Sequence, residues 1–201
     1  LRRAIERERQ PSRRPQGGGA TILTTPAQPG DLTEAPHIAF LKRRDLTPDA
    51  SREFMTSAYQ RIPYEGPHLD LFSRYFRALA EREGPVLIHC AAGKDRTGIL
   101  AALTHRMVGV HRDDMMSDYV LTNTAVRLDE RAADMAMRIA RWSGKDASPE
   151  AVVAFVGVEP GYLDVAFAEI DRQSGSLDAY FETALGLDAA TRARIIERLT
   201  A

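Results

Sequence analysis

Pro85-Val86-Leu87-Ile88-His89-Cys90-Ala91-Ala92-Gly93-Lys94-Asp95-Arg96-Thr97-Gly98-Ile99-Leu100-Ala101-Ala102-Leu103 is the stretch on which the fold turns. An aliphatic run ends at the single cysteine of the chain, a short loop of small residues follows, and a second apolar run begins after Gly98. That order predicts a buried strand, a tight loop and a buried helix. It gathers a thiol, several backbone N–H groups and the guanidinium of Arg96, six residues on from Cys90, around one point at a helix N-terminus. Such a point suits a tetrahedral dianion with a nucleophile beneath it.

The residue types fit that chemistry. A free thiol titrates near pH 8.5 and is mostly protonated at neutrality, whereas the nucleophile is the thiolate. The positive end of the following helix, a nest of N–H groups from Ala91 to Arg96, and the charges of Arg96 and Lys94 all favour the anion. Ala91, Ala92 and Gly93 leave the backbone open to close approach by a phosphate. Arg96 can bind two phosphoryl oxygens at once and so assist the chemistry where the transition-state charge develops. Thr97 can hydrogen-bond the thiolate or assist its departure. His89 is expected to orient the loop through backbone contacts rather than to act as a base. Against this stand two plainer readings: a lone buried cysteine acting as a small hydrophobe, and a glycine turn carrying solvated charges. A nucleotide-binding loop fits poorly, because Gly93-Lys94 is followed by Asp95 and not by Ser or Thr.

The rest of the chain frames this loop. Its 201 residues suffice for one sizeable domain, and a net charge of −1 creates no field that would draw nucleic acid. One cysteine forms no internal disulfide, and no Cys/His cluster has zinc spacing, so neither metal nor cofactor is implied. No uninterrupted 18-residue apolar run is present, which predicts no stable membrane insertion. The chain opens on Leu1-Arg2-Arg3-Ala4 rather than Met, as if the start of an element were missing; cytoplasmic and secreted locations both stay open, as does the oligomeric state. Residues 10–20, with Gly17-Gly18-Gly19, read as a linker, and Pro26 to Pro36 as a loop. Thr21–Thr24 and Pro85–Cys90 are strand candidates. Helices are expected over His37–Arg44, from Thr47-Pro48-Asp49 to Arg61 with Phe54, Met55, Ala58 and Tyr59 as one core-facing stripe, and from Gly66-Pro67 with Leu69, Phe72, Tyr75, Phe76 and Leu79 as another. Further helices follow over Thr97–Val108, Arg112–Leu121, Thr124–Trp142, from Ser148-Pro149-Glu150, and over Tyr162–Gln173, Ser176–Leu185 and Ala189–Leu199, with Glu159-Pro160-Gly161 as a turn. Two strands alone do not make a stable sheet, so other strands are either unrecognised or supplied from before Leu1.

His89 to Gly98 resembles the signature H-C-x5-R-[ST] of the protein tyrosine phosphatase superfamily, in the form found in a bacterial branch with tyrosine and phosphoinositide phosphatase activities. The resemblance extends more loosely to Phe54-Met55-Thr56-Ser57-Ala58-Tyr59, to Asp118-Tyr119-Val120-Leu121-Thr122-Asn123 and to Ser176-Leu177-Asp178-Ala179-Tyr180. It implies one phosphatase domain over residues 1–201, lacking part of the family's N-terminal region. The implied fold is α/β, a mainly parallel sheet flanked by many helices with a helical C-terminal part. It also implies a metal-free mechanism. Cys90 attacks phosphorus, an aspartic acid protonates the leaving oxygen, and water hydrolyses the phosphocysteine. Two residues compete as the acid: Asp31, in the loop where the family's acid loop would fall, and Asp95, which can instead hold Arg96 in position. Phosphotyrosine is the expected substrate, with phosphoserine, phosphothreonine and phosphoinositides as further candidates. Lys94 reads either as a rim cation for a second headgroup phosphate or as a solvated lysine. Val152–Val158 and Tyr162–Phe167 read either as a lid or as ordinary core helices. A non-catalytic phosphate-binding pseudophosphatase and a rhodanese-type sulfurtransferase are the alternative functions.

Overall fold

Residues 21–24 and 35–201 are described by a computed structural model. From Pro48 onward the apolar residues recur at helical spacing, and the described chain is a succession of helices. These are α1 (Pro36–Arg43), α2 (Pro48–Arg61), α3 (Gly66–Glu81), α4 (Asp95–Met107), α5 (Arg112–Ala125) and α6 (Leu128–Ser143). Then come α7 (Pro149–Val156), α8 (Pro160–Ser174), the short α9 (Leu177–Ala179) running into a π turn (Tyr180–Ala184), and α10 (Ala189–Thr200).

The expected α/β architecture with a parallel sheet is therefore corrected: among the described residues there is no strand and no sheet. Among the described residues neither strand candidate, Thr21–Thr24 nor Pro85–Cys90, has a neighbour with which to exchange backbone hydrogen bonds. In the second, Val86 and Leu87 remain 45 % and 88 % exposed. β-type pairing among these residues is confined to one parallel bridge, Leu46 with Ala147. It joins two look-alike helix starts. Thr47-Pro48-Asp49 and Ser148-Pro149-Glu150 each place a hydroxyl at the N-cap, accepting from Ala50 N at 3.2 Å and from Ala151 N at 3.1 Å, with proline in the first turn.

Two boundaries also move. The helix expected from Thr124 starts at Leu128, because α5 runs on to Ala125 and Arg127 adopts a left-handed φ of 51° that breaks the path. Glu159-Pro160-Gly161 is not a free turn: Glu159 is the N-cap of α8, and Pro160 occupies its first turn. The stretch Pro149–Ser174 contains an 18-residue window of mean hydropathy 1.5, half of it buried, so this region is strongly apolar although no run in it is uninterrupted. It is divided at Gly157–Glu159 into α7 and α8.

The larger core holds Tyr59, Phe72, Phe76, Leu103, Leu163 and Tyr180, drawn from α2, α3, α4, α8 and the π turn. A smaller one unites Leu41, Leu46, Ala136, Ile139 and Val152. Phe155 on α7 packs against both, and its ring stacks with Phe40 and tilts against Phe54 at centroid distances of 5.5 and 5.6 Å. Val152 and Leu163 are fully buried, so α7 and α8 are core helices here, and α2 is gripped by both. The linker 10–20 and most of the Pro26–Pro36 loop lie outside the described residues.

Candidate active site

The chain arrives at Cys90 without regular secondary structure, bends through Ala91–Lys94, and enters α4 at Asp95. Gly93 takes φ 71°, which a side chain rarely tolerates, so glycine belongs at this position. Gly98 serves another purpose: a Cβ there would come within 2.8 Å of the Tyr119 ring, so its absence lets α4 lie against α5.

Cys90 is half-buried and free. Burial raises the thiol pKa, but the Thr97 hydroxyl, the Thr97 N–H, the Arg96 charge and the Gly93 N–H outweigh it and hold the thiol below its ordinary value. The Thr97 hydroxyl oxygen is buried and has no hydrogen-bond partner among the described residues, while its nearness lowers the Cys90 thiol pKa. Arg96 is exposed, and among the described residues it makes no hydrogen bond or ion pair. Its charge acts on Cys90 and on His68, whose pKa is lowered by burial and by Arg96, against the pull of Glu65. A guanidinium with no anionic partner among the described residues, whose charge reaches a thiol biased toward its anion, has the chemistry to bind an oxyanion.

Lys94 differs from both sequence expectations. It is neither on the rim nor solvated: it is 8 % exposed. Its Nζ donates to Phe155 O at 2.9 Å and Gly157 O at 3.0 Å, and it pairs with Asp95 Oδ1 at 3.1 Å. It thus caps the C-terminal end of α7, where carbonyls lack helix partners, and ties that helix to the loop. Burial lowers its pKa, while Asp95 and Cys90 act in the opposite direction. Asn123 clamps the next residue of the same turn, donating to Val158 O and accepting from Val158 N, both at 2.8 Å.

Asp95 Oδ1 also accepts from Tyr59 Oη at 3.0 Å, and Tyr59 Oη lies 2.6 Å from Tyr119 Oη. His89 is exposed and makes no hydrogen bond among the described residues, so the orienting contacts expected for it are not found. Asp31 lies outside the described residues. Ala91, Ala92 and Gly93 line an exposed loop whose first helical N–H groups have no intrahelical partner. No group of three or more His, Cys, Asp or Glu side chains able to hold a metal occurs among the described residues.

A family model described as "Tyrosine phosphatase family" matches residues 1–201. The chain belongs to the tyrosine phosphatase family. That family is one of phosphoric monoester hydrolases. The triple specificity protein phosphatase PtpB of Mycobacterium tuberculosis is 32 % identical over 208 aligned residues, covering 91 % of this chain and 74 % of PtpB. A protein of Cupriavidus necator named "Putative tyrosine-protein phosphatase" is 32 % identical over 147 residues, covering 73 % of this chain but only 51 % of its own length. A tyrosine-protein phosphatase of Nostoc commune is 44 % identical over 46 residues, 23 % of this chain and 16 % of its own. The chain thus spans about half to three quarters of the two longer matches.

Within the family frame, the looser matching segments acquire a physical meaning. Phe54–Tyr59 contributes the hydroxyl that reaches Asp95, and Asp118–Asn123 contributes Tyr119 and the Asn123 clamp. Sequence reasoning read Tyr59 only as core; the available signal was a phenol at a position where phenylalanine would fill the same space.

Proposed function

We propose that this chain is the catalytic part of a cysteine-dependent phosphatase that hydrolyses phosphotyrosine monoesters through a phosphocysteine intermediate. The observation that carries the reading is the half-buried Cys90 thiol, biased toward thiolate by Thr97, the Gly93 N–H and Arg96, with Arg96 itself free of any protein anion among the described residues. Phosphate oxygens bridge Arg96 and the loop N–H groups. The Cys90 sulfur attacks phosphorus in line, the P–O bond to the leaving group breaks, and the S–P bond forms. Water then cleaves the S–P bond, with the Thr97 hydroxyl stabilising the departing thiolate.

The leaving oxygen needs a proton. Asp95 Oδ1 accepts from Tyr59 and pairs with Lys94, contacts that tie this carboxyl into the surrounding helices. We therefore assign Asp95 as an anchor and Asp31, by its place in the sequence, as the acid. An acid must be protonated to act, so Asp31→Asn is expected to abolish the basic limb of the kcat profile, and Asp95→Asn to keep it.

PtpB carries "triple specificity" in its name, which supports extending the substrate range here to phosphoserine, phosphothreonine and phosphoinositides. The buried Lys94 supplies no reason to favour the last of these. The test is turnover of an aryl phosphate, a phosphotyrosine peptide and a phosphoinositide by wild type and Cys90→Ser, with and without vanadate. Vanadate-sensitive turnover lost in Cys90→Ser supports the reading; turnover retained by Cys90→Ser, or phosphate binding without turnover, overturns it.

A further inference from the structure

Tyr59 is fully buried, and its ring packs 5.5 Å from that of Tyr162, centroid to centroid. Packing alone requires no hydroxyl, and a buried hydroxyl must find partners. Its partners here belong to the catalytic loop and the helix behind it. A carboxylate only accepts hydrogen bonds, so the single Tyr59 proton is committed to Asp95 at 3.0 Å, and in the 2.6 Å contact Tyr119 must be the donor. Burial first, then Asp95 and Tyr119, push Tyr59 ionisation far above the ordinary phenol range. Burial also raises Tyr119. Both phenols therefore stay protonated and donate.

The result is a directed chain, Tyr119 to Tyr59 to Asp95, running from α5 through α2 to the first residue of α4. Polarisation along such a chain strengthens each link. Asp95 sits between Lys94, which grips the α7 terminus, and Arg96, whose charge acts on Cys90. A carboxylate held at Oδ1 by both Tyr59 and Lys94 restrains the backbone from which Arg96 and the Thr97 N–H project. Gly98 is part of the same arrangement, since it admits the Tyr119 ring against α4.

We propose that Tyr59, backed by Tyr119, is a positioning residue for phosphoryl transfer: its hydroxyl holds Asp95, and through it the start of α4, in the geometry that receives the phosphoryl oxygens. This rests on the reading that Cys90 and Arg96 carry the reaction. Tyr59→Phe keeps the ring and deletes the hydroxyl. With an aryl phosphate, kcat is expected to fall roughly tenfold or more while KM stays nearly constant, the mark of an interaction needed in the transition state. In an Asp95→Asn background the same substitution is expected to cost nothing further, because its effect passes through Asp95. Unchanged kcat in a folded Tyr59→Phe, or losses that multiply in the double variant, overturns the proposal.

Should Tyr59→Phe not fold, Tyr119→Phe is read in the same cycle. It is expected to lower kcat by a smaller factor that also vanishes with Asp95→Asn, and no loss overturns the proposal. A second readout needs no turnover: protection of Cys90 from iodoacetamide by vanadate, whose five-coordinate geometry mimics the transition state. Protection is expected at several-fold higher vanadate in Tyr59→Phe, and equal protection overturns the proposal. A wild type that binds phosphate but does not turn over would count against the reaction and leave the positioning result standing.

Discussion

Lys94→Met separates a loop cation held inside the fold from one that serves substrate at the rim. Methionine keeps the unbranched stem and removes the ammonium. Phe155 O at 2.9 Å and Gly157 O at 3.0 Å lose a donor, and Asp95 Oδ1 loses its cation at 3.1 Å and keeps only Tyr59. Because Lys94 is 8 % exposed, solvent replaces these bonds poorly. Breaking a buried pair by removing one partner costs about 3–5 kcal/mol. For a domain of this size each kcal/mol lowers the melting temperature by about 2–4 °C, so the expected drop is roughly 6–20 °C. The assay is thermal and urea unfolding of wild type and variant side by side, with unchanged urea dependence showing that the denatured state is not the cause. Turnover of phosphopeptide and phosphoinositide is expected to fall by the same factor, since the lysine touches helix carbonyls and not a headgroup. A melting temperature within roughly 2 °C of wild type, or a loss confined to phosphoinositide, would refute the reasoning.

Three further outcomes follow from the same contacts. Thr97→Ala removes the hydroxyl that helps hold the Cys90 thiol below its ordinary value; the midpoint of the iodoacetamide rate against pH should lie below that of a free thiol in wild type and shift upward in the variant, and an unmoved midpoint counts against the hydroxyl. Gly98→Ala places a Cβ 2.8 Å from the Tyr119 ring; overpacking of this kind costs about 1–3 kcal/mol, visible in urea melts, whereas a stability equal to wild type would show that α5 moves freely away from α4. Asn123→Ala deletes both bonds to the buried Val158 backbone, a loss of about 2–4 kcal/mol with faster amide exchange in the α7–α8 turn; unchanged exchange there would mean the clamp is not what fixes the turn.

What sequence could reveal was decided by distance along the chain. The candidate loop was legible because its pattern is local: Cys90, the small residues, Arg96 and Thr97 lie in one short loop and the helix start that follows it. The helix starts at Thr47 and Ser148 were legible for the same reason, since an N-cap hydroxyl bonds an N–H three residues on. The sheet was not, because a strand exists only by pairing, and an aliphatic run such as Pro85–Ile88 reads the same with or without a neighbour. Lys94 was misplaced because its partners are main-chain carbonyls more than sixty residues away, which no side-chain pattern announces. Tyr59 passed for a packing residue because its hydroxyl partners lie 36 and 60 residues off. The choice between core and lid for α7 and α8 turned on burial, and a helical stripe looks alike in either case.

The central claim is that Cys90 carries the phosphoryl group. Its most direct test is acid quench of the enzyme during steady turnover of an aryl phosphate, followed by peptide mass analysis. A phosphorylated Cys90 peptide is expected to accumulate in a burst and to disappear when substrate is exhausted. Turnover proceeding with that peptide unmodified at every time point would contradict it.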